Sequence, residues 1–353
     1  MAPPADQSLD PRAVLASLGV TGATHLAAVS GGQDTAMWRV EHPGGVFALR
    51  VFRPEQRLTC EWEVAALRAA AAGGLPVPAI YALGRWHDRP VLLLSWCSGR
   101  PLASELAARP WRLWSLGVAF GRTHAAIHAL PAPPLLREAP SWIERLGPIE
   151  AGDEATARLR ATLAALSRDR AALLHLDYHP LNVLASEQGI TAVLDWANAR
   201  AGDPRADLAR TYTLLRLAPW PPLTGARSFA TAAGVAAGVL TGTRFVWEPI
   251  LRRLLERAWR YGCQLASGSI YTPHELAPFY AWAGRWLEHE LRIHWHVRPA
   301  GPSRLGGATQ REQTSGYVAH HLPSSASGWI RPHHLLRIRR WTARWQQRAG
   351  STT

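Results

Sequence analysis

Short apolar runs broken by small polar clusters fill the first hundred residues and predict strands. A brief helical segment over Arg12–Leu18 precedes a strand-rich stretch from His25 to Phe52. Within it Val29–Thr35 reads as a turn, Met37–Val40 as a strand, Pro43-Gly44-Gly45 as a hairpin turn and Val46–Phe52 as a strand. From Arg57 to Ala72 the spacing turns helical, with Val64, Leu67 and Ala71 on one face. Gly73-Gly74 closes that helix, and Pro76 and Pro78 prevent its continuation. Two more strand-like runs, Ala79–Leu83 and Val91–Trp96, end at a polar break, Ser98-Gly99-Arg100-Pro101. Beyond it the pattern is helical over Leu113–His128, over Glu154–Ser167, and from Asp207 to about Ile293. A Pro-rich loop, Pro131–Pro140, interrupts it, as do apolar runs between Ala172 and Trp196 that turn at Glu187-Gln188-Gly189. No internal repeat is visible. The expectation is an α+β chain: a small antiparallel-sheet lobe over 1–97 ending in a hinge near Trp96, then a larger helical lobe over 98–297. A flexible Gly/Ser/Pro-rich linker and a Trp/Arg-rich tail would occupy 298–353.

At 353 residues, 47% hydrophobic and 18% charged, the chain can bury a sizeable core, and wholesale disorder is excluded. Cys60, Cys97 and Cys263 lack metal-ligand spacing and are too few for a disulfide scaffold, which fits a cytoplasmic protein. Met1–Asp10 has no apolar core of the signal-peptide kind, and the uncharged stretch between Arg227 and Arg244 is short for a bilayer and rich in Ala, Gly and Thr. It reads as a buried helix, so no transmembrane segment is expected. The net charge of +13 comes entirely from arginine, because lysine is absent. No acid follows Glu312, whereas Arg331, Arg337, Arg339, Arg340, Arg344 and Arg348 crowd the end. The excess therefore belongs in part to the tail and says little about the body.

Candidate chemistry concentrates in one segment. His175-Leu-Asp177 is followed by Asn182, five residues beyond the aspartate, and Asp195 ends the next apolar run. Phosphoryl transfer needs such a set: one carboxylate to orient an acceptor hydroxyl and take its proton, and a carboxamide oxygen with a second carboxylate to hold Mg²⁺ on nucleotide phosphates. A tight loop and a hairpin would bring Asp177, Asn182 and Asp195 together.

The order His-x-Asp-x-x-x-x-Asn, apolar strand, turn, apolar strand, Asp resembles the catalytic and metal loops of the protein-kinase-like fold. Its extension, Asp195-Trp-Ala-Asn-Ala-Arg-Ala-Gly-Asp-Pro-Arg-Ala-Asp-Leu-Ala209, resembles the aminoglycoside phosphotransferase family and its choline-kinase-like relatives. The resemblance covers roughly Leu18 to Glu290 and implies a bilobal fold and a small-molecule kinase using ATP or GTP with Mg²⁺. It implies Asp177 as base, Asn182 and Asp195 as metal ligands, and Ser30, Gly31 and Gly32 in a phosphate-covering loop. Arg50 stands where the family carries a phosphate-gripping lysine, with Glu63 as its helix partner and Glu61 as a neighbouring candidate. Ser95, Trp96 and Cys97 would offer backbone groups to the base of the nucleotide. Two departures stand out: Arg50 itself, since arginine and lysine are not interchangeable, and Leu176 in place of the usual glycine.

Asp203 and Asp207 read as braces, Asp207 also as a helix cap. His175 reads as a loop brace, and its spacing from His179 is set aside as a zinc pair because Pro180 places it in a loop. His124 and His128 lie one helical turn apart, His128 in a packing role. Trp282 and Trp286, on one helical face, could line an acceptor pocket. The alternative to an enzyme is a non-catalytic kinase-like protein that binds a nucleotide or a partner. Trp329, Trp341 and Trp345 among arginines suit a membrane surface or nucleic-acid phosphates, though a solvated extension without a partner is the favoured reading of the tail.

Overall fold

The computed structural model describes residues 9–29, 35–147, 153–167, 171–218, 237–269, 271–294, 296–297, 329–330 and 332–350. The chain begins with α1 (Pro11–Ser17), whose N–H of Arg12 is capped by Asp10. A five-stranded antiparallel sheet follows, from β1 (His25–Ala28), β2 (Ala36–His42), β3 (Gly45–Val51), β4 (Ile80–Trp86) and β5 (Arg89–Ser95), in the order β1-β2-β3-β5-β4. The helix α2 (Arg57–Ala72) sits between β3 and β4 in sequence.

Strand alternation decides what each face of this sheet does. Phe47, Leu49 and Val51 of β3 join Trp38, Val40, Val91 and Leu93 in a core that takes in Val14 and Leu15 of α1. The intervening position, Arg50, therefore points to the opposite face, where Leu92 and Leu94 of β5 pack with Val64 and Leu67 of α2. That second core runs without a break into the helical lobe, through Leu102, Phe120, Leu174 and Trp196.

After Ser95 the chain forms β6 (Arg100–Pro101), α3 (Leu102–Ala108), α4 (Leu113–His128), α5 (Pro134–Arg137) and α6 (Glu154–Leu166). Next come β7 (Ala172–Leu174), β8 (Val183–Ser186), β9 (Gly189–Val193) and β10 (Arg200–Gly202). Then follow α7 (Pro204–Leu217), α8 (Ala237–Ser267), α9 (Ala277–His294), β11 (His296–Val297), β12 (Trp329–Ile330) and α10 (Pro332–Gly350). The polar break at Ser98–Pro101 is more than a break: Arg100 and Pro101 pair with Ala185 and Leu184 of β8. The expected hairpin is β8–β9, with Ser186 opposite Gly189.

The reading of the tail as a solvated extension is corrected. Helix α10 packs along α9: Leu335 and Ile338 join Leu287 and Leu291 of α9 and Leu214 and Leu217 of α7 in one apolar cluster. Trp345 is buried against the Tyr280 ring, 4.7 Å between centroids. The aromatic that a membrane or a nucleic-acid base would need is therefore spent on packing. The linker 298–328, the side chain of Trp329 and residues 227–236 of the small-residue stretch lie outside the described residues. Among the described residues no helix is long and apolar enough to cross a membrane.

Candidate active site

Strand β7 delivers the chain into the loop His175–Asn182, and three elements hold that loop in shape. From below, Asp207 on the first turn of α7 accepts the N–H of His175 on one carboxylate oxygen (2.7 Å) and that of Leu176 on the other (2.9 Å). From α4, the Nε2 atoms of His128 and His124 approach the same Asp207 Oδ2 at 3.1 and 3.3 Å. His128 thus does more than pack. With two amides and two imidazoles around it, Asp207 is a hydrogen-bond clasp, although these three side chains alone meet the spacing of a metal cluster among the described residues. Asp207 does not cap α7; Asp203 does, accepting from the Arg205 N–H at 2.9 Å.

Within the loop, His175 Nδ1 accepts from the Asp177 N–H at 3.2 Å and Nε2 donates to the Leu194 carbonyl at 3.0 Å. Both nitrogens are used, which fixes the proton on Nε2 and makes this histidine a brace of the loop. Tyr178 stacks on His124 (4.3 Å) and on Phe120 (4.4 Å) and donates its hydroxyl to the Phe120 carbonyl at 2.8 Å. Leu176 is held at φ 63°, a left-handed conformation that explains why the related motif carries glycine there.

The loop and hairpin bring three predicted residues together. Asn182 Nδ2 donates to the Asp177 carbonyl and to Asp177 Oδ2, each at 3.1 Å. Val183 pairs with Val193 across the hairpin, and the Leu194 N–H reaches the Asn182 carbonyl at 2.8 Å, so Asn182 and Asp195 flank the same open end. Asp195 also sits in the left-handed region, at φ 62°. One oxygen of each carboxylate, Asp177 Oδ1 and Asp195 Oδ1, is buried without a hydrogen-bond partner. Burial alone would raise the Asp177 carboxyl, but neighbouring His179, whose Nε2 lies 3.6 Å away, then Arg210 and His175 outweigh it and hold it well below the usual carboxylate range. Asp177 is therefore an anion at any physiological pH.

On the sheet side, Arg50 Nη1 meets Glu63 Oε1 at 2.5 Å, both side chains largely buried. Glu61 pairs instead with Arg57 on the outer face of α2 at 2.9 Å, so Glu63 is the residue that faces the strand arginine. Burial pushes the Glu63 carboxyl up to about 7, against the pull of Arg50, and the charge of Asp195 adds to the rise. That coupling places the Arg50–Glu63 pair in the field of Asp195. At the hinge, the Ser95 and Trp96 N–H groups donate to the Ala79 and Val46 carbonyls at 2.8 and 3.0 Å. Those two donors are committed to the sheet, which narrows what Ser95, Trp96 and Cys97 can present to their carbonyls and the Cys97 amide. Ser30, Gly31 and Gly32 lie outside the described residues.

Residues 25–250, well over half of the chain, match the family model described as the phosphotransferase enzyme family, APH. The chain belongs to the APH phosphotransferase family. Its fold is similar to that of a protein from Ralstonia eutropha JMP134 described provisionally as an aminoglycoside phosphotransferase. The two share 19% identity over 97% of this chain and 98% of that one, with a TM-score of 0.59. It is also similar to an aminoglycoside-3′-phosphotransferase of type VIII, at 18% identity over 78% of this chain and 97% of that one, TM-score 0.51. No curated protein matches in sequence. These likenesses identify the antiparallel sheet followed by a helical lobe as the kinase-like APH fold.

The sequence did not reveal a second group of side chains beyond Asp177. Arg210 and Glu290 form a buried pair at 2.6 Å, and Trp286 lies under the Arg210 guanidinium, 3.9 Å from ring centroid to Cζ. Trp282 stands beside Trp286 on the same helical face, 5.3 Å between ring centroids, and both rings are buried, Trp282 also edge-on to Trp142 at 4.7 Å. The available signal for Arg210 was its position three residues after Asp207, on the same helical face.

Proposed function

We propose that this APH-family phosphotransferase is a small-molecule kinase that transfers the γ-phosphoryl group of ATP or GTP to an acceptor hydroxyl. The observation that carries the reading is the convergence of Asp177, Asn182 and Asp195 at one loop–hairpin junction, with Asp195 Oδ1 buried without a hydrogen-bond partner and Asp177 Oδ1 facing only the His179 ring at 3.6 Å. Buried acceptors without partners are costly and mark a place where a ligand completes the set.

Asp177 is placed to orient the acceptor hydroxyl. The hydroxyl oxygen attacks the γ-phosphorus, the bond to the β–γ bridging oxygen breaks, the diphosphate leaves with the electron pair, and the hydroxyl proton passes to the Asp177 carboxylate. Asn182 holds Asp177 through its amide nitrogen, and His175 and Asp207 hold the backbone beneath it, so catalysis rests on positioning. Oxygen donors from Asp195 and Asn182 fit Mg²⁺, which when bound would neutralise phosphate charge. Arg50, fixed by Glu63, offers its guanidinium to the phosphates as a planar fork that can pair two oxygens at once.

A non-catalytic binder would have no need of an ionised, buried Asp177 held by hydrogen bonds through Asn182, His175 and Asp207. The free cysteines Cys60, Cys97 and Cys263 accord with the cytoplasmic location this reading supposes, where nucleotide is plentiful. The test is nucleotide turnover. Wild type with ATP, Mg²⁺ and a panel of small alcohols should release ADP. Asp177→Asn should lose about 10²–10⁴-fold in kcat while a fluorescent ATP analogue binds as before. Equal turnover by Asp177→Asn would end the proposal.

A further inference from the structure

The second group of side chains bears on which acceptor the site takes. Arg210 follows Asp207 by one turn of α7, and its neighbour Thr211 donates its hydroxyl to the Tyr178 carbonyl at 2.8 Å, next to Asp177. The Arg210 side chain is fully buried; Nη2 bonds Glu290, but Nε and Nη1 have no partner. On the other side of this wall, Arg145 lies with its guanidinium carbon 5.4 Å from the Trp286 ring centroid and bonds Asn198 Oδ1 at 2.9 Å. The Asn198 amide nitrogen is likewise buried and unpartnered. The charge of Arg210 helps hold Asp177 ionised; burial raises the Glu290 carboxyl against the pull of Arg210, and Asp177 adds to the rise, so these groups share one field.

Four charged groups share that wall, the guanidiniums of Arg210 and Arg145 and the carboxylates of Glu290 and Asp177, and the kinase reading gives Asp177 to the acceptor hydroxyl. Among the described residues, three more carboxylates of the helical lobe that could have welcomed a polycation are committed elsewhere. Glu256 pairs with Arg216 at 2.6 Å, Glu288 with Arg292 and Arg339 at 2.6 and 2.7 Å, and Glu275 accepts from the Thr272 N–H and hydroxyl at 2.8 Å each. An acceptor bearing ammonium groups would meet arginine here. An acceptor bearing an oxyanion would satisfy donors that the protein leaves unmade, at a site where such an omission is expensive.

We infer that the acceptor is an alcohol carrying an oxyanion, a carboxylate or a phosphate, which Arg210 binds over the face of Trp286 while Asp177 engages the hydroxyl. The inference rests on the kinase reading of Asp177 and adds the chemistry of the other substrate. Arg210 is an acceptor-binding residue in this scheme, and Glu290 and Trp286 position it.

The experiment uses the full chain saturated with Mg²⁺ and a non-hydrolysable ATP analogue, titrated calorimetrically with D-glycerate, glycerol 3-phosphate, glycerol and kanamycin. At least one of the two anionic alcohols should bind about 100-fold more tightly than glycerol, the worth of one charge-assisted hydrogen-bonded contact. Which of the two wins tells carboxylate from phosphate. Removing Arg210 alone strands a buried Glu290, so the matched variant is Arg210→Met with Glu290→Gln, checked for a wild-type melting transition and wild-type analogue affinity. In it the preference should shrink below about threefold. Absence of an anionic preference in wild type, its survival in the double variant, or tighter binding of kanamycin than of either anion overturns the inference. A wild-type chain that fails to bind the nucleotide analogue would instead overturn the kinase reading, which separates the two failures.

Discussion

Two residues of the candidate site, Leu176 and Asp195, sit in left-handed backbone that L-residues avoid. At Leu176 the strain costs about 1–2 kcal/mol, yet the side chain is wholly buried, which returns about 1.5–3 kcal/mol. Leu176→Ala keeps the strain and loses the burial, whereas Leu176→Gly loses the burial and sheds the strain. Urea midpoints should therefore rank wild type above Gly and Gly above Ala, with Gly the milder loss by about 1 kcal/mol. A second residue-scale expectation concerns Arg50. Lysine keeps the charge but not the fork, so Arg50→Lys should raise the KM for ATP about tenfold with a smaller change in kcat, read from initial rates. Asp177, Asn182 and Asp195 were legible in the sequence because one loop and one hairpin suffice to join them, and their spacing is fixed. Arg210, Trp286 and Glu290 were not, because α7 and α9 bring them to Asp177 from far along the chain. No local spacing marks such a meeting.

Among the elements, α4 braces the candidate catalytic loop through His124, His128 and the Phe120 carbonyl. Its contact with α8 is close enough that backbone meets backbone: a Cβ added at Gly121 would stand 2.0 Å from the Trp259 carbonyl oxygen, and one at Gly262 would stand 2.1 Å from that of Val118. Gly121→Ala must part the helices and should cost about 3 kcal/mol or more by chemical denaturation, with activity falling as His124 and His128 leave Asp207. The same helix gives a pH signature. Burial, then the neighbouring His128, pushes His124 down to about 4, against the pull of Asp207. Between pH 4 and about 6.5 the unfolded chain holds a proton that the folded ring refuses. This contribution to stability is thus intact above about 6.5 and is lost as the pH falls toward 4, on the order of 3 kcal/mol in all. Urea midpoints of wild type minus those of His124→Gln should show that slope. The bounds of α2 and α4 were readable from sequence because each has one continuous apolar face and a clear stop. The two-residue strand β6 and the short α3 were not, since pairing with β8, rather than any pattern of their own, makes Arg100–Pro101 a strand.

Across the whole molecule, β5 divides its side chains between two cores, Val91 and Leu93 to one and Leu92 and Leu94 to the other. The second core passes through α2 into the helical lobe, and the Val193 N–H bonds the Pro76 carbonyl at 2.7 Å, so the sheet and the catalytic hairpin are mechanically joined. At the far side α10 closes the structure. Its meeting with α9 is tight, since a Cβ at Gly284 would stand 2.5 Å from Thr342 Oγ1. A chain ending at Ile330 gives up the burial of Leu335, Ile338 and Trp345, and should lose on the order of 5 kcal/mol with a rise in binding of a hydrophobic dye. The docking of α10 was hidden in a composition dominated by arginine: the apolar stripe is narrow, and its partner face exists only once α7 and α9 have packed. Its consequence is genetic. A frameshift or stop codon beyond Arg292 spares every motif by which such a gene would be judged intact, yet it strips the strut from the helix that bears Trp286 and Glu290. Alleles of that kind should behave as null mutations although each signature residue is still encoded.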